Sequence, residues 1–364
     1  MRILFSTTAG AGHFGPLVPF IRSGLRNGHE VMVAAPASME ATASATGAGF
    51  WAFGDPPAEE MAAAMGSLGR LPREEANRRV VAEIFGRLDA TAAVPRLRQA
   101  IREWRPDLIV RESAELGAAV AAELHDVPQV RVGIGLAEME RYVLGVVQGN
   151  VDALRRSYGL SGPNRLGESP YFTLFPAALD EEAQAIPSRR FRDPAWARSA
   201  GGDPFVYVTF GSVAGALPMV THVYGEAVRA MAGVEADVVL TIGHGADPAA
   251  VGTPPPNVRV ERWVDQNEVL RRANAVVCHG GGGSTLGALA AGVPLVVVPL
   301  FASDQHINAR RVAAAGAGVS VAPEAEAIRA GLEAVLAGGS FRRAAGALAD
   351  ELAGHPSTDE AFPG

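Results

Sequence analysis

The stretch Ala275-Val276-Val277-Cys278-His279-Gly280-Gly281-Gly282-Gly283-Ser284-Thr285 decides how this chain is read. A short apolar run, suited to a buried strand, gives way to four glycines and then to helical spacing from Leu286 to Ala291. Glycines after a strand let backbone approach a ligand closely, and the following helix presents unpaired N–H groups at the positive end of its dipole. Ser284 and Thr285 can add hydroxyl donors and His279 a ring N–H, so the segment reads as a cradle for a diphosphate. The competing reading is a tight strand-to-helix turn around a buried histidine. Four glycines without purpose would each cost about 0.5–1 kcal/mol, which weighs against it. A Walker-type loop needs a lysine before the Ser/Thr pair. Gly283 stands there, so an NTPase is not expected.

On either side of this segment the chain alternates short apolar runs with helical patterns. Ile3 to Thr7 reads as a strand, Ala9-Gly10-Ala11-Gly12-His13 as a loop, Pro16 to Arg26 as a helix stopped by Gly28, and Glu30 to Ala35 as the next strand. Pro106 to Val110, the Ala-rich helix from Glu115 to His125 and Pro128 to Val132 repeat the unit. A second start appears at Phe205-Val206-Tyr207-Val208-Thr209-Phe210, running into Gly211-Ser212. Such alternation predicts parallel sheets covered on both faces. The segment from about Phe175 to Pro204 is rich in Pro, Arg, Asp and Gly and reads as a linker. Ala121 to Val130 also echoes Leu289 to Val296, each a helix end followed by proline and a buried strand. Two similar α/β domains facing across a cleft are therefore expected. Ala58 to Leu97 carries the weakest pattern and reads equally as helices lining a pocket or as solvated packing helices.

Composition narrows the function. The chain has 364 residues, more than one core usually serves, with 48% hydrophobic and 20% charged residues, the balance of a folded globular protein. A net charge of −7 without a basic stripe argues against nucleic acid as a partner. The single cysteine, Cys278, excludes an internal disulfide and a cysteine-cluster metal site. No apolar run is long enough to span a bilayer and the N-terminus lacks a signal-peptide pattern, so a cytoplasmic protein without membrane contact is expected. Asp-x-Asp occurs nowhere, in keeping with chemistry that needs no metal.

Trp263-Val264-Asp265-Gln266, the glycine segment, Gly292-Val293-Pro294, Asp304-Gln305 and Asn308-Ala309 follow one another in this order. The set resembles the donor-binding stretch of the UDP-glucosyl/glucuronosyl transferase family, in its bacterial branch that glycosylates antibiotics. The likeness covers most of the chain and is strongest from about Phe205 to Val319. It implies the GT-B fold, with two Rossmann-like domains, and hexosyl transfer with inversion, without an essential metal or other cofactor. Residues 1–180 would form the acceptor domain, 181–204 the linker and 205–340 the donor domain. Residues 341–364 would form a C-terminal helix packing back on the first domain. By the same resemblance Trp263 stacks on the base, with Val264 beside it and Gln266 near base or ribose. Gly211, Ser212, His279, Gly281, Gly282, Gly283, Ser284 and Thr285 hold the diphosphate, and Asp304 and Gln305 bind sugar hydroxyls. The competing readings are Trp263 as core filler and Asp304 as a helix N-cap. Phe301 to Gln305 runs one residue longer than the usual spacing.

Where plant members carry a ribose-gripping Glu, this chain has Gly287. That favours a deoxyribose donor, dTDP-sugar over UDP-sugar. In the first domain, Gly10-Ala11-Gly12-His13-Phe14-Gly15 matches GxGxxG, yet Val33-Ala34-Ala35-Pro36 ends the second strand without the acidic residue a dinucleotide needs. Gly12-His13 followed by Pro16 resembles instead the family's Gly-His-x-x-Pro loop, whose histidine is the general base. An imidazole with an unperturbed pKa of about 6.5 suits that task. Its carboxylate partner would follow the strand beginning Pro106-Asp107, which makes Glu112 the candidate and Glu115 the reserve. Glu112 as an exposed cap or ion-pair residue is the alternative. Expected partners are a nucleotide-diphosphate sugar and a small natural-product acceptor; a homodimer stays open. A nucleotide-sugar epimerase, a lipid-linked sugar transferase and a non-catalytic protein of this fold are the rivals.

Overall fold

The computed structural model describes every residue except 181–185, 213, 218–219, 244, 248–250 and 364. The chain divides into two compact units, Met1–Leu174 with Glu182–Pro194 and Pro356–Gly364, and Phe175–Glu181 with Ala195–His355.

The first unit holds seven strands among the described residues: β1 (Arg2–Ser6), β2 (Glu30–Pro36), β3 (Gly49–Phe53), β4 (Leu108–Glu112), β5 (Gln129–Val132), β6 (Tyr171–Thr173) and β7 (Ser188–Arg190), in the order β3-β2-β1-β4-β5-β6-β7. The second holds β8 (Phe205–Thr209), β9 (Asp237–Thr241), β10 (Val258–Glu261), β11 (Ala275–Cys278), β12 (Leu295–Val297) and β13 (Gly318–Ser320), in the order β10-β9-β8-β11-β12-β13. Every ladder is parallel. Helices cover both faces, which is why the central strands are unbroken apolar runs: Ile3, Leu4 and Phe5 in β1, Val206 and Val208 in β8, and Val276 and Val277 in β11 are all buried. Each sheet reverses its order beside its first strand, between β1 and β4 and again between β8 and β11. Loops leaving a parallel sheet at such a reversal part from one another and open a crevice at the carboxyl ends of the strands.

Two boundaries differ from the sequence reading. Part of the expected linker, Ser188–Arg190, is the edge strand β7 of the first sheet; residues 181–185 lie outside the described residues. A three-residue edge strand of Ser-Arg-Arg, no residue of it buried, has no apolar alternation to reveal it. The C-terminal helix, Gly339–Gly354, belongs to the second unit and packs on the helix Gly282–Ala290. Only the tail after it joins the first unit. There Ser23 Oγ donates to the Thr358 carbonyl at 2.6 Å, Asn27 Nδ2 donates to the Asp359 and Phe362 carbonyls at 2.8 Å each, and Phe362 sets its ring against Phe5, Phe20 and Phe172. Ala58 to Leu97 is helical, and its middle, Val80–Asp89, is a π-helix. Among the described residues no helix is long and apolar enough to cross a membrane.

Candidate active site

In the first unit, β1 ends at Ser6 and the buried Thr7 and Thr8 lead to Gly10, whose φ of 114° is a conformation that favours glycine. The chain turns there into the single helical turn Ala11–Phe14, with the His13 and Phe14 amides both donating to the Gly10 carbonyl. A 3-10 turn containing Pro16 carries it on into the helix Val18–Arg26. His13 is thus held at the carboxyl end of β1. On the neighbouring strand, Glu112 is the last residue of β4 and its side chain is fully enclosed.

His13 Nδ1 lies 3.1 Å from Glu112 Oε1. The same oxygen accepts from Thr8 Oγ1 at 3.0 Å and from the Thr8 amide at 3.4 Å, while Oε2 accepts from the Ala114 amide. Burial alone would push this carboxyl up. The charge and hydrogen bond of His13, the Ala114 amide and the Thr8 hydroxyl outweigh it and hold Glu112 below its ordinary carboxylate range. An ionised carboxylate only accepts, so the proton of neutral His13 sits on Nδ1 and Nε2 carries the ring's lone pair.

The turn that carries Glu112 is held from beneath by Arg111. Its wholly buried guanidinium donates from Nη1 to the carbonyls of Glu112 and Ser113 at 3.3 Å and of Glu115 at 3.5 Å, and from Nε to Gln129 Oε1 at 3.1 Å. Burial, reinforced by Arg131, lowers it to about 10. Glu115, the reserve partner, points elsewhere: it accepts from the Ala118 amide at 3.0 Å, and burial pushes it up to about 7. Thr8, Arg111 and the Phe85 ring, 4.9 Å from the His13 ring, are parts of this site that sequence reasoning passed over. Thr8 directly precedes the glycine loop, and that position was the available signal.

In the second unit, β8 leads to Gly211, with φ 79°, and β11 to His279 and Gly280, with φ 87°. The His279 ring stands in a slot made by missing side chains. A Cβ on Gly211 would fall 2.8 Å from its Cε1, and one on Gly281 would fall 2.5 Å from its Nε2. Gly280 is required twice over, by its φ and by the Gln305 carbonyl 2.8 Å from where its Cβ would be. Asn308 Nδ2 donates to the Gly280 carbonyl at 2.7 Å and ties the loop to the helix Ser303–Ala314. The helix Gly282–Ala290 starts from this loop with Gly281 as its N-cap. His279 Nδ1 is buried with no hydrogen-bond partner among the described residues, and burial lowers the ring to about 4, so it is a neutral donor at working pH.

Other expected donor-site residues fall on the same carboxyl edge. Trp263 follows β10 and is 65% exposed, which removes the core-filler alternative, and Val264 is half-buried beside it. Ser212, Gly282 and Gly283 are open or partly open, and Ser284 is buried at the start of the helix. Gln266 Nε2 donates to the Gly283 carbonyl at 3.2 Å and lies over Gly287, where a Cβ would meet it at 2.5 Å. Two placements differ from expectation. Thr285 is wholly enclosed beneath the first helical turn, so its side chain belongs to the packing. Gln305 is buried and its Oε1 accepts from the Leu300 and Phe301 amides at 2.8 and 3.1 Å, bracing its own loop. Asp304 sits in the first turn of the helix, whose N-cap is Ala302.

Two doubly wound parallel units in one chain, with a glycine cradle in the second, are the architecture of the GT-B glycosyltransferases. Residues 24–171 match the N-terminal domain, and residues 226–363 the C-terminal domain, of the erythromycin biosynthesis protein CIII-like family, and the chain belongs to that family. It is 33% identical to the elloramycin glycosyltransferase ElmGT of Streptomyces olivaceus, across 98% of this chain and 94% of the relative. The crystal structure of the glycosyltransferase SnogD from Streptomyces nogalater superposes with a TM-score of 0.79 at 26% identity, covering 99% of this chain and 97% of SnogD. The glycosyltransferase VinC, solved in complex with dTDP, shares the fold at a TM-score of 0.78 and 23% identity over 99% of this chain and 97% of VinC. The chain is a glycosyltransferase of the antibiotic-biosynthesis type.

Proposed function

We propose that the chain moves a sugar with inversion from a nucleotide-diphosphate donor, dTDP-sugar in preference to UDP-sugar, onto a hydroxyl of a small natural-product acceptor. The observation that carries this reading is the 3.1 Å contact of His13 Nδ1 with the buried Glu112. His13 Nε2 takes the proton as the acceptor oxygen attacks the anomeric carbon. The bond from that carbon to the diphosphate oxygen breaks on the opposite side, and Glu112 stabilises the imidazolium. Charge developing on the departing diphosphate meets the amides of the 280–283 loop, the Ser212 and Ser284 hydroxyls and the neutral His279. Trp263 stacks on the base, and Asp304 serves the sugar hydroxyls.

The donor preference rests on Gly287. Gln266 fills the space into which any side chain at 287 would grow, so no carboxylate stands there to grip a ribose 2′-hydroxyl. ElmGT, SnogD and VinC, all named as glycosyltransferases, support the reaction class, and the dTDP bound to VinC supports the nucleotide. Calorimetry with dTDP, UDP and NADH tests the donor half. Binding of dTDP at least tenfold tighter than UDP, with no response to NADH, is expected; the reverse order overturns it. For the chemistry, His13→Ala should lower transfer by about 10²–10⁴-fold, the usual worth of a general base, while dTDP affinity stays unchanged. Full activity of His13→Ala would remove the base assignment.

A further inference from the structure

The π-helix Val80–Asp89 carries a carboxyl that neither the dyad nor the packing uses. Three contacts fix its position. Phe85 sets its ring 4.9 Å from that of His13, tilted by 50°. Gly86 turns to the helix Ala137–Ser157, where a Cβ would meet Val147 Cγ1 at 3.3 Å. At the end of the π-helix, the Ala90 carbonyl lies 2.9 Å from where a Cβ on Gly117 would be, as does Glu115 Oε1, so this end abuts the turn that follows Glu112. A π-helix closes its turn between residues i and i+5, so positions four apart share a face. Asp89 therefore stands on the Phe85 side, towards His13.

Asp89 immediately precedes the helix Ala90–Trp104 yet makes no side-chain cap to it. The charged residue Arg87 of the same helix faces away and is paired with Glu60 and Glu83. The ionisable groups near enough to act on the charge of Asp89 are His13 from the β1 loop, Glu112 from β4 and Asp55 from the segment after β3. Burial, then repulsion from Glu112 and Asp55, pushes its carboxyl up to about 6 against the opposing pull of His13. A carboxyl that makes no cap, partly buried and within electrostatic reach of an imidazole and two other carboxyls, is costly to stability unless it serves the imidazole.

We propose that Asp89 is a second carboxylate of the base site, a positioning residue that acts through His13 to stabilise the imidazolium formed when the acceptor hydroxyl gives up its proton. This rests on His13 being the base. Glu112 fixes the tautomer through Nδ1, and Asp89 adds a charge whose presence depends on pH. Above about pH 6 Asp89 is ionised and supports the protonated ring; below it, Asp89 is neutral and the support is gone. The acid–base centre thus titrates as a coupled group, and the acidic limb of its pH–rate profile belongs to the histidine and Asp89 together.

The test is an NMR titration of the full chain labelled at histidine, with the His13 signals assigned by their loss in His13→Gln. Ring shifts followed from pH 5 to 9 should show two coupled inflections for wild type. Asp89→Asn should give a single step with the His13 midpoint lowered by about half a unit or more, and Asp89→Glu should restore the wild-type curve. Asp89→Ser provides a second neutral variant, and an unchanged amide spectrum checks the fold. A His13 midpoint that is the same in wild type and in a folded neutral variant overturns the proposal. The titration needs no turnover, so a failure of the transfer reading, seen as unimpaired activity in His13→Ala, is separable from a failure of this one.

Discussion

Replacing Gly281 by alanine should act on the donor site through one moving part, the His279 ring. At φ −63° and ψ 146° the position is unstrained for any residue, so the backbone has no reason to shift. The new methyl, however, would lie 2.5 Å from His279 Nε2 and 2.7 Å from Cε1. Comfortable contact needs roughly 3.5 Å, so the ring must recoil by about 1 Å. That distance takes an N–H out of the roughly 2.7–3.2 Å window of a hydrogen bond to a phosphate oxygen. A hydrogen bond to a charged group is worth about 1.5–3 kcal/mol, which corresponds to a ~10–150-fold loss of nucleoside diphosphate affinity.

His279→Ala should lose a similar amount, and the double variant no more than either single one, because the methyl then has nothing left to displace. Alanine at an N-cap is poorer than glycine, which lowers stability in both backgrounds and cancels in the cycle. Calorimetric titration of dTDP into wild type and the three variants reads the coupling, and thermal melts confirm that all four are folded. Affinity losses that multiply in the double variant would refute the account, since independent sites add to within about 0.5 kcal/mol.

Glu115 holds its proton up to about pH 7 when folded, against an ordinary 4.5, so the unfolded chain releases it first and stability falls as pH rises between those values. Glu115→Gln should therefore melt several degrees above wild type at pH 8, with the gap closing by pH 5; equal melting temperatures at pH 8 count against it. Trp263 is 65% exposed, so Trp263→Ala should leave the melting temperature unchanged while weakening dTDP about 5–150-fold through lost stacking of ~1–3 kcal/mol. An unaltered Kd would remove the indole from the base site.

What the sequence disclosed follows the physics of each segment. The paired strands and the glycine turns were readable because a parallel strand buried on both faces is a continuous apolar run and positive φ selects glycine. That His13 and Glu112 stand together is expected from the resemblance of their loops to the family's, and their side chains lie 3.1 Å apart at the ends of β1 and β4. β7 was missed because three polar edge residues carry no periodicity. Thr285 and Gln305 were misplaced for a different reason. A motif states which residue types stand near a ligand, but the same hydroxyl or amide serves equally to brace the loop, and only the direction of the side chain separates the two uses. Asp89 had no motif at all; a π-turn shifts the face of every residue beyond it, and nothing in Val80–Asp89 announces that turn.

The two switch points answer different chemical demands with different means. A base must change its charge during the reaction, so its surroundings have to favour the charged form when it appears. Around His13 the structure places ionisable groups: Glu112 held below its ordinary range, Asp89 raised to about 6, and Arg111 bracing the turn from beneath. A diphosphate arrives charged and leaves charged, so its cradle gains nothing from a group that titrates. The proposed means for that task are backbone amides freed by glycine and a histidine whose burial keeps it neutral down to about pH 4. Transfer by this chain should therefore depend on pH through its first unit, while nucleotide affinity should follow only the titration of the ligand's own terminal phosphate. A dTDP dissociation constant whose pH dependence between pH 6 and 8 differed between wild type and His279→Ala would show that His279 carries charge there, because the titration of the ligand's own terminal phosphate is common to both.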